Sequence, residues 1–223
     1  STEARKDRYD RSRDSRKGVY MKRRLLTLLL VCLMVCTCVV PAAAYTPQVR
    51  AIDSNDHSGI SMTPVMSYNE LLDYMVEVKH FSREEAVRLL PKTRASEGSR
   101  ILSVTLSVEN KPTYKPTLDF YCHVSVGDGV WGIQDIYLVQ MDRSSNGITK
   151  QFSGAVNVWL RGPERIEYVV NGDFYNYGTT SVSAGGKVQI GIGNAATLEF
   201  SATVTTTDNW YAYCYNNAIK RFT

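Results

Sequence analysis

Thr197-Leu198-Glu199-Phe200-Ser201-Ala202-Thr203-Val204 decides the fold. Leu198, Phe200, Ala202 and Val204 fall on one side of an extended chain, and Thr197, Glu199, Ser201 and Thr203 on the other. Successive strand side chains point to opposite faces, so a strict two-residue alternation asks for one buried face and one wet face. The pattern recurs upstream, with Leu102, Val104, Leu106 and Val108 set against Ser103, Thr105 and Ser107. It returns in Val188, Ile190 and Ile192 against Lys187, Gln189 and Gly191. Turn formers separate such runs at Gly127-Asp128-Gly129, Asn146-Gly147, Gly162-Pro163, Asn171-Gly172, Gly185-Gly186, Gly193-Asn194 and Asp208-Asn209. Turns about ten residues apart with no helical period between them predict an antiparallel β-sandwich, or a flattened barrel, of about eight strands over residues 100–223.

The pattern changes N-terminal to this domain. Ser67-Tyr68-Asn69-Glu70 and Ser82-Arg83-Glu84-Glu85 are capping boxes, in which the serine accepts a free backbone N–H and the glutamate bonds back. The first opens a helix through Lys79 with Leu71, Leu72, Met75 and Val76 apolar; the second ends at Leu90, before Pro91. Residues 67–91 are thus predicted as a mainly helical hairpin, too short to fold alone and requiring a surface to dock on. Residues 45–66 have no periodicity and several Thr, Ser, Asp and Pro, and are predicted as a flexible spacer.

Residues 21–44 have the three-part build of a secretory signal peptide. Lys22, Arg23 and Arg24 form the basic start, Leu25–Val40 the apolar core, and Ala42-Ala43-Ala44 the small-residue site, with cleavage after Ala44. An uncleaved anchor is the alternative. A lipoprotein anchor at Cys36 or Cys38 lacks the small preceding residue, since Val35 and Thr37 stand there. Residues 1–20, charged and almost without apolar side chains, read either as a disordered leader or as an untranslated stretch ahead of a start at Met21.

Removing residues 1–44 changes the electrostatics. They hold 10 of the 26 Lys/Arg and 4 of the 22 Asp/Glu, so the net charge of +4 becomes −2 over residues 45–223. The basic character that would suggest nucleic-acid binding leaves with them. Of five cysteines only Cys122 and Cys214 remain. An even pair in an exported chain predicts one disulfide, worth on the order of 4 kcal/mol for so long a loop. Two buried thiols are the alternative.

Catalytic signatures are weak. Cys122 and His123 are adjacent on a strand, so their side chains point apart and do not form a Cys–His nucleophile. No His/Cys/Asp cluster has metal-ligand spacing, and neither cofactor nor metal is expected. Asp119, Asp135, Asp142, Glu164, Glu167 and Asp173 could supply a glycosidase pair, but scattered solvent-facing acids are commoner. Asp128-Gly129 and Asn171-Gly172-Asp173 read as turns before they read as calcium ligands.

Tyrosine is the feature above background, with 12 of the 14 falling in residues 45–223. Tyr211, Tyr213 and Tyr215 alternate onto one face, and Phe174, Tyr175 and Tyr177 crowd a loop after Asn171-Gly172-Asp173. Such rows either pack across strands or offer flat platforms with polar tips to a glycan or protein. The overall build of signal peptide, helical hairpin and tyrosine-rich β domain resembles small secreted proteins of Gram-positive bacteria, which implies export. The expectation is a non-catalytic extracellular or cell-surface binding module, its partner a protein or glycan of the cell envelope. No nucleic acid is expected, and the membrane is met only through the signal peptide. A bacteriocin-like or toxin effector and an extracellular hydrolase are the alternatives.

Overall fold

The alternating runs of the sequence pair into two antiparallel sheets. The first holds β1 (Ile60–Met62), β2 (Gly98–Thr105), β3 (Thr117–Gly127), β4 (Val130–Asp142) and β10 (Lys187–Gly191), in spatial order β1-β2-β3-β4-β10. The second holds β7 (Gln151–Gly162), β8 (Arg165–Tyr175), β9 (Thr180–Val182), β11 (Ala195–Ala202) and β12 (Trp210–Arg221), in order β12-β8-β7-β11-β9. Both sheets stay open, so the protein is mainly β and a sandwich, with no closed barrel. This computed structural model describes residues 59–91, 98–127 and 130–222, all within one compact unit, Pro47–Thr223. The leader 1–20, the signal peptide 21–44 with Ala42 and Ala44, and residues 45–58 of the spacer lie outside the described residues.

The inner faces meet in one core. Phe120, Cys122 and Val124 of β3 and Leu102 and Val104 of β2 pack with Phe152, Val156, Val170, Phe174, Leu198 and Phe200 of the second sheet, all buried. Each fully buried side chain of this size contributes about 1.5–3 kcal/mol. Gly154 and Gly172 lie opposite each other on β7 and β8, which brings the strands close under the Phe152 ring. A Cβ on Gly172 would stand 2.4 Å from the Ser153 carbonyl oxygen and 2.7 Å from that ring. Asn171-Gly172-Asp173, expected as a turn, is therefore mid-strand, its glycine required by packing. Asn146-Gly147 does form the expected turn, with φ of +51° and +74°, between the two-residue strands β5 (Ser144–Ser145) and β6 (Ile148–Thr149).

The helical hairpin forms where its caps predict, with the first of the two expected capping boxes complete and the first helix ending at Glu77 rather than Lys79. Ser67 and Glu70 complete a capping box on α1 (Tyr68–Glu77), and the Ser82 side chain accepts the Glu85 N–H at the start of α2 (Arg83–Leu89). Leu71, Leu72, Met75, Ala86 and Leu89 bury against Ile101, Tyr121 and Leu138, a row across β2, β3 and β4. The first sheet is therefore covered on both faces, which is why Leu118 to Cys122 are buried without alternation.

Three other expectations are corrected. The spacer is structured at its end, since Ile60, Ser61 and Met62 pair with Val104, Ser103 and Leu102, and Met66 bridges to Ser99. The alternations at 188–192 and 197–204 stop early, at Gly191 and Ala202, leaving Ile192 and Val204 exposed. The disulfide is absent: Cys122 and Cys214 are free, buried thiols, donating to the Phe120 and Ser107 carbonyls, each at 3.6 Å. Each sulfur has its own surroundings instead: Cys122 lies on the central strand of the first sheet within the apolar core, and Cys214 on an edge strand of the second, where Asn216 Nδ2 also donates to its sulfur at 3.2 Å.

Candidate functional site

The exposed aromatic face lies on β12, and a bulge decides which residues belong to it. Trp210 pairs with Tyr175 and Ala212 with Phe174, so Tyr211 is the extra residue. The bulge withdraws Tyr211 from the expected row: its ring packs edge-on against Tyr114, with centroids 5.6 Å apart, and between the ammonium groups of Lys111 and Lys150, 4.7 and 4.3 Å from its centre. Beyond the bulge, Ala212 and Cys214 point into the core, and Tyr213 and Tyr215 point out.

Tyr213 and Tyr215 are 36% and 55% exposed, and Trp210, which the expectation left out, is 49% exposed. The Trp210 indole N–H donates to Asp173 Oδ1 at 2.8 Å, and the Tyr213 hydroxyl to Asn171 Oδ1 at 2.8 Å. Both acceptors lie on the neighbouring β8, so the rings are held over the outer face of the second sheet. In register beside Asp173 and Asn171 come Ser153 and Ala155 on β7, small residues that leave the centre of the face low. Fixed rings with satisfied polar tips lose little rotamer freedom when something lands on them.

The second predicted aromatic group divides. Phe174 and Tyr175 are buried, because β8 runs through Tyr175 where a loop was expected. Tyr177 alone is outside, 74% exposed. Its backbone N–H donates to Asn209 Oδ1 and its carbonyl accepts from Asn209 Nδ2. The buried Asn209 thereby fixes the Tyr177 loop beside Trp210.

The six acids are each engaged. Glu164 pairs with Arg221, Glu167 with Arg161, Asp135 with His123, and Asp173 takes the Trp210 N–H. Asp119 and Asp142 share Lys79, whose Nζ is 2.6 Å from Asp119 Oδ2 and 3.8 Å from Asp142 Oδ2. Burial works to lower the Lys79 pKa, but the charge and hydrogen bond of Asp119 outweigh it and hold the ammonium above its ordinary value. Two of the candidate acids thus meet on one lysine. Sequence reasoning missed Lys79. The available signal was Asp119 within Leu118-Asp119-Phe120-Tyr121, where an acid in a buried run requires a cation.

This ion pair borders a cleft of about 760 Å³ between the end of α1, the start of α2, the outer face of β3 and β4, and β9. Ser99, His123 and Asp135 form another polar row, directly opposite one another across β2, β3 and β4. His123 Nδ1 is 2.9 Å from Asp135 Oδ1, whereas His123 Nε2 is buried without a protein partner. Ser99 is buried, so its hydroxyl meets no substrate in this conformation. Cys122 faces the core on the opposite side.

No family model, no curated protein and no solved structure matches the chain. Among the described residues no group of three or more His, Cys, Asp or Glu could hold a metal ion, and no helix is long and apolar enough to cross a membrane.

Proposed function

We propose that this chain is an exported, non-catalytic binding module whose contact surface is the outer face of the second sheet, with Trp210, Tyr213 and Tyr215 as its anchors and Tyr177 at its end. The observation that carries the reading is that three aromatic residues of one edge strand stay exposed while two have their polar tips fixed by Asp173 and Asn171. Isolated exposed aromatics need no explanation, but a fixed row beside a low, small-residue floor suits a flat partner. The signal-peptide pattern at 21–44 supports export, and with it a protein or glycan of the cell envelope as the partner. The engaged state of all six acids and the enclosure of Ser99 favour binding over hydrolysis.

The test is a pull-down of the exported protein against Gram-positive cell envelopes, with a glycan array in parallel. Trp210→Ala and Tyr215→Ala should each weaken capture at least tenfold, the range of an interface anchor. Capture that survives both substitutions would place the contact elsewhere.

A further inference from the structure

We infer that the end of the sandwich around Tyr211 is an anion-binding site adjoining the aromatic face, and that its ligand is a phosphodiester-bearing glycopolymer of the cell envelope. The inference rests on the proposed function only for the envelope as the source of that polymer. The bulge in β12 sets the Tyr211 ring between two ammonium groups, with Lys111 Nζ 4.7 Å and Lys150 Nζ 4.3 Å from its centre. A ring attracts each cation but neutralises neither, so two like charges are held together without a counter-ion. Lys115 is exposed on the Lys111 loop, and Arg143 faces Lys150 across the base of the β5–β6 hairpin, where the Lys150 N–H donates to the Arg143 carbonyl. Among the described residues none of these four cations forms an ion pair. Asp142, the adjoining acid, accepts the Ser144 N–H and stands 3.8 Å from Lys79, and Glu109 and Asp208 pair with none of the four. Residues 45–223 carry a net charge of −2, so the positive excess here is local.

The backbone under these charges is fixed. The Tyr114 hydroxyl donates to the Arg143 carbonyl at 2.7 Å, the Lys115 N–H to Ser145 Oγ at 2.9 Å, and Asn146 Nδ2 to the Thr113 carbonyl at 2.8 Å, which joins the two loops into one surface. A surface built this way loses little freedom on binding. It is also continuous with the aromatic face. Lys150 Nζ donates to Asn176 Oδ1, and Asn176 Nδ2 reaches the Asn209 and Trp210 carbonyls, so a chain lying over Trp210 brings its anionic groups onto the lysines. The cation types select phosphate. An ammonium is a compact charge that meets a phosphodiester from any side, whereas a planar carboxylate is held best by the fork of an arginine. Three of the four cations are lysines, and Arg143 already commits Nη1 to the Lys150 carbonyl and the Gln151 side chain. The negative net charge of residues 45–223 disfavours nucleic acid as the polyanion.

Fluorescence anisotropy of labelled poly(glycerol phosphate) tests it on the purified protein, with polygalacturonate, dextran and single-stranded DNA of similar length as comparators. Poly(glycerol phosphate) should bind saturably at about 50 mM salt and weaken about tenfold by about 200 mM, as counter-ion release at two phosphate contacts requires. Lys111→Met together with Lys150→Met should weaken binding at least tenfold and flatten the salt dependence, whereas Lys111→Arg together with Lys150→Arg should retain most of it. Arg165→Met, at the far turn between β7 and β8, should change nothing. The inference is overturned if poly(glycerol phosphate) does not saturate, if any comparator binds as tightly, or if the double methionine variant binds like the unaltered protein. That failure leaves envelope capture through Trp210 and Tyr215 standing. Polymer binding that survives Trp210→Ala and Tyr215→Ala upholds the cationic site and counts against the aromatic face instead.

Discussion

Replacing Lys79 with alanine isolates the interaction that ties the hairpin to the sandwich. The Asp119 side chain is 2% exposed and that of Lys79 17%, so the substitution leaves a carboxylate in the interior with the Thr117 hydroxyl, at 3.1 Å, as its remaining close partner. Removing one member of a buried pair costs about 3–5 kcal/mol, and the partial exposure of Lys79 puts the expected loss near the lower end. Arg83→Ala is the control, because the Arg83–Asp73 pair is more than half exposed on both sides and should cost under about 1 kcal/mol. Urea unfolding gives the totals, and hydrogen exchange shows whether the α1 and α2 amides open first. Pairing Lys79→Met with Asp119→Leu should recover much of the loss, since an apolar pair of similar size fills the same space without a buried charge. The pH dependence has a definite sign. The Lys79 pKa is raised on folding, so its contribution is fully present below the ordinary lysine value of 10.5 and disappears as pH rises through the folded value. A Lys79→Ala loss no larger than that of Arg83→Ala, with unchanged alkaline stability, would refute the reasoning.

Three further outcomes follow from the packing. Gly172→Ala forces a Cβ against the Ser153 carbonyl and the Phe152 ring and should cost about 1–3 kcal/mol, read as a lower thermal midpoint; an unchanged midpoint would contradict the close approach of β7 and β8. Burial pushes the Cys214 thiol up to about 12, although the Asn216 hydrogen bond works the other way, and burial raises the Cys122 thiol well above its ordinary value. Both cysteines should therefore resist alkylation until the protein is unfolded, and reductant should not move the unfolding midpoint; a Cys122–Cys214 peptide in non-reducing mass mapping would overturn this. The double substitution Tyr213→Ala and Tyr215→Ala should change stability by less than about 1 kcal/mol, since both rings face outward, and a larger loss in urea unfolding would make them structural.

The parts of the fold legible in sequence are those with one wet face. β11 alternates because only the sandwich covers it, and the two helix starts are spelled by Ser67–Glu70 and Ser82–Glu85. β3 is harder, because the hairpin buries its second face and removes the alternation. Asn171-Gly172-Asp173 carries the letters of a turn, but its glycine answers to Phe152 across the strand pair, a contact no local pattern records. In the candidate site, Tyr213 and Tyr215 were readable from period two. Tyr211 was not, since the bulge that removes it depends on pairing with β8. Lys79 and Asp119 lie 40 residues apart and meet only after the hairpin has docked.

The chain leaves the second sheet after β9, turns through Ser183–Gly186, adds β10 to the edge of the first sheet, and returns as β11. On the opposite flank, the stretch after β2 lies against β12, where the Glu109 N–H donates to the Tyr213 carbonyl and Asn216 bonds both backbone groups of Ser107. One flank is stitched by a strand and the other by a strap, so the two sheets are not free to part like the covers of a book. A sandwich laced on both sides should come undone in a single step, and it offers a neighbouring chain few loose threads to pull.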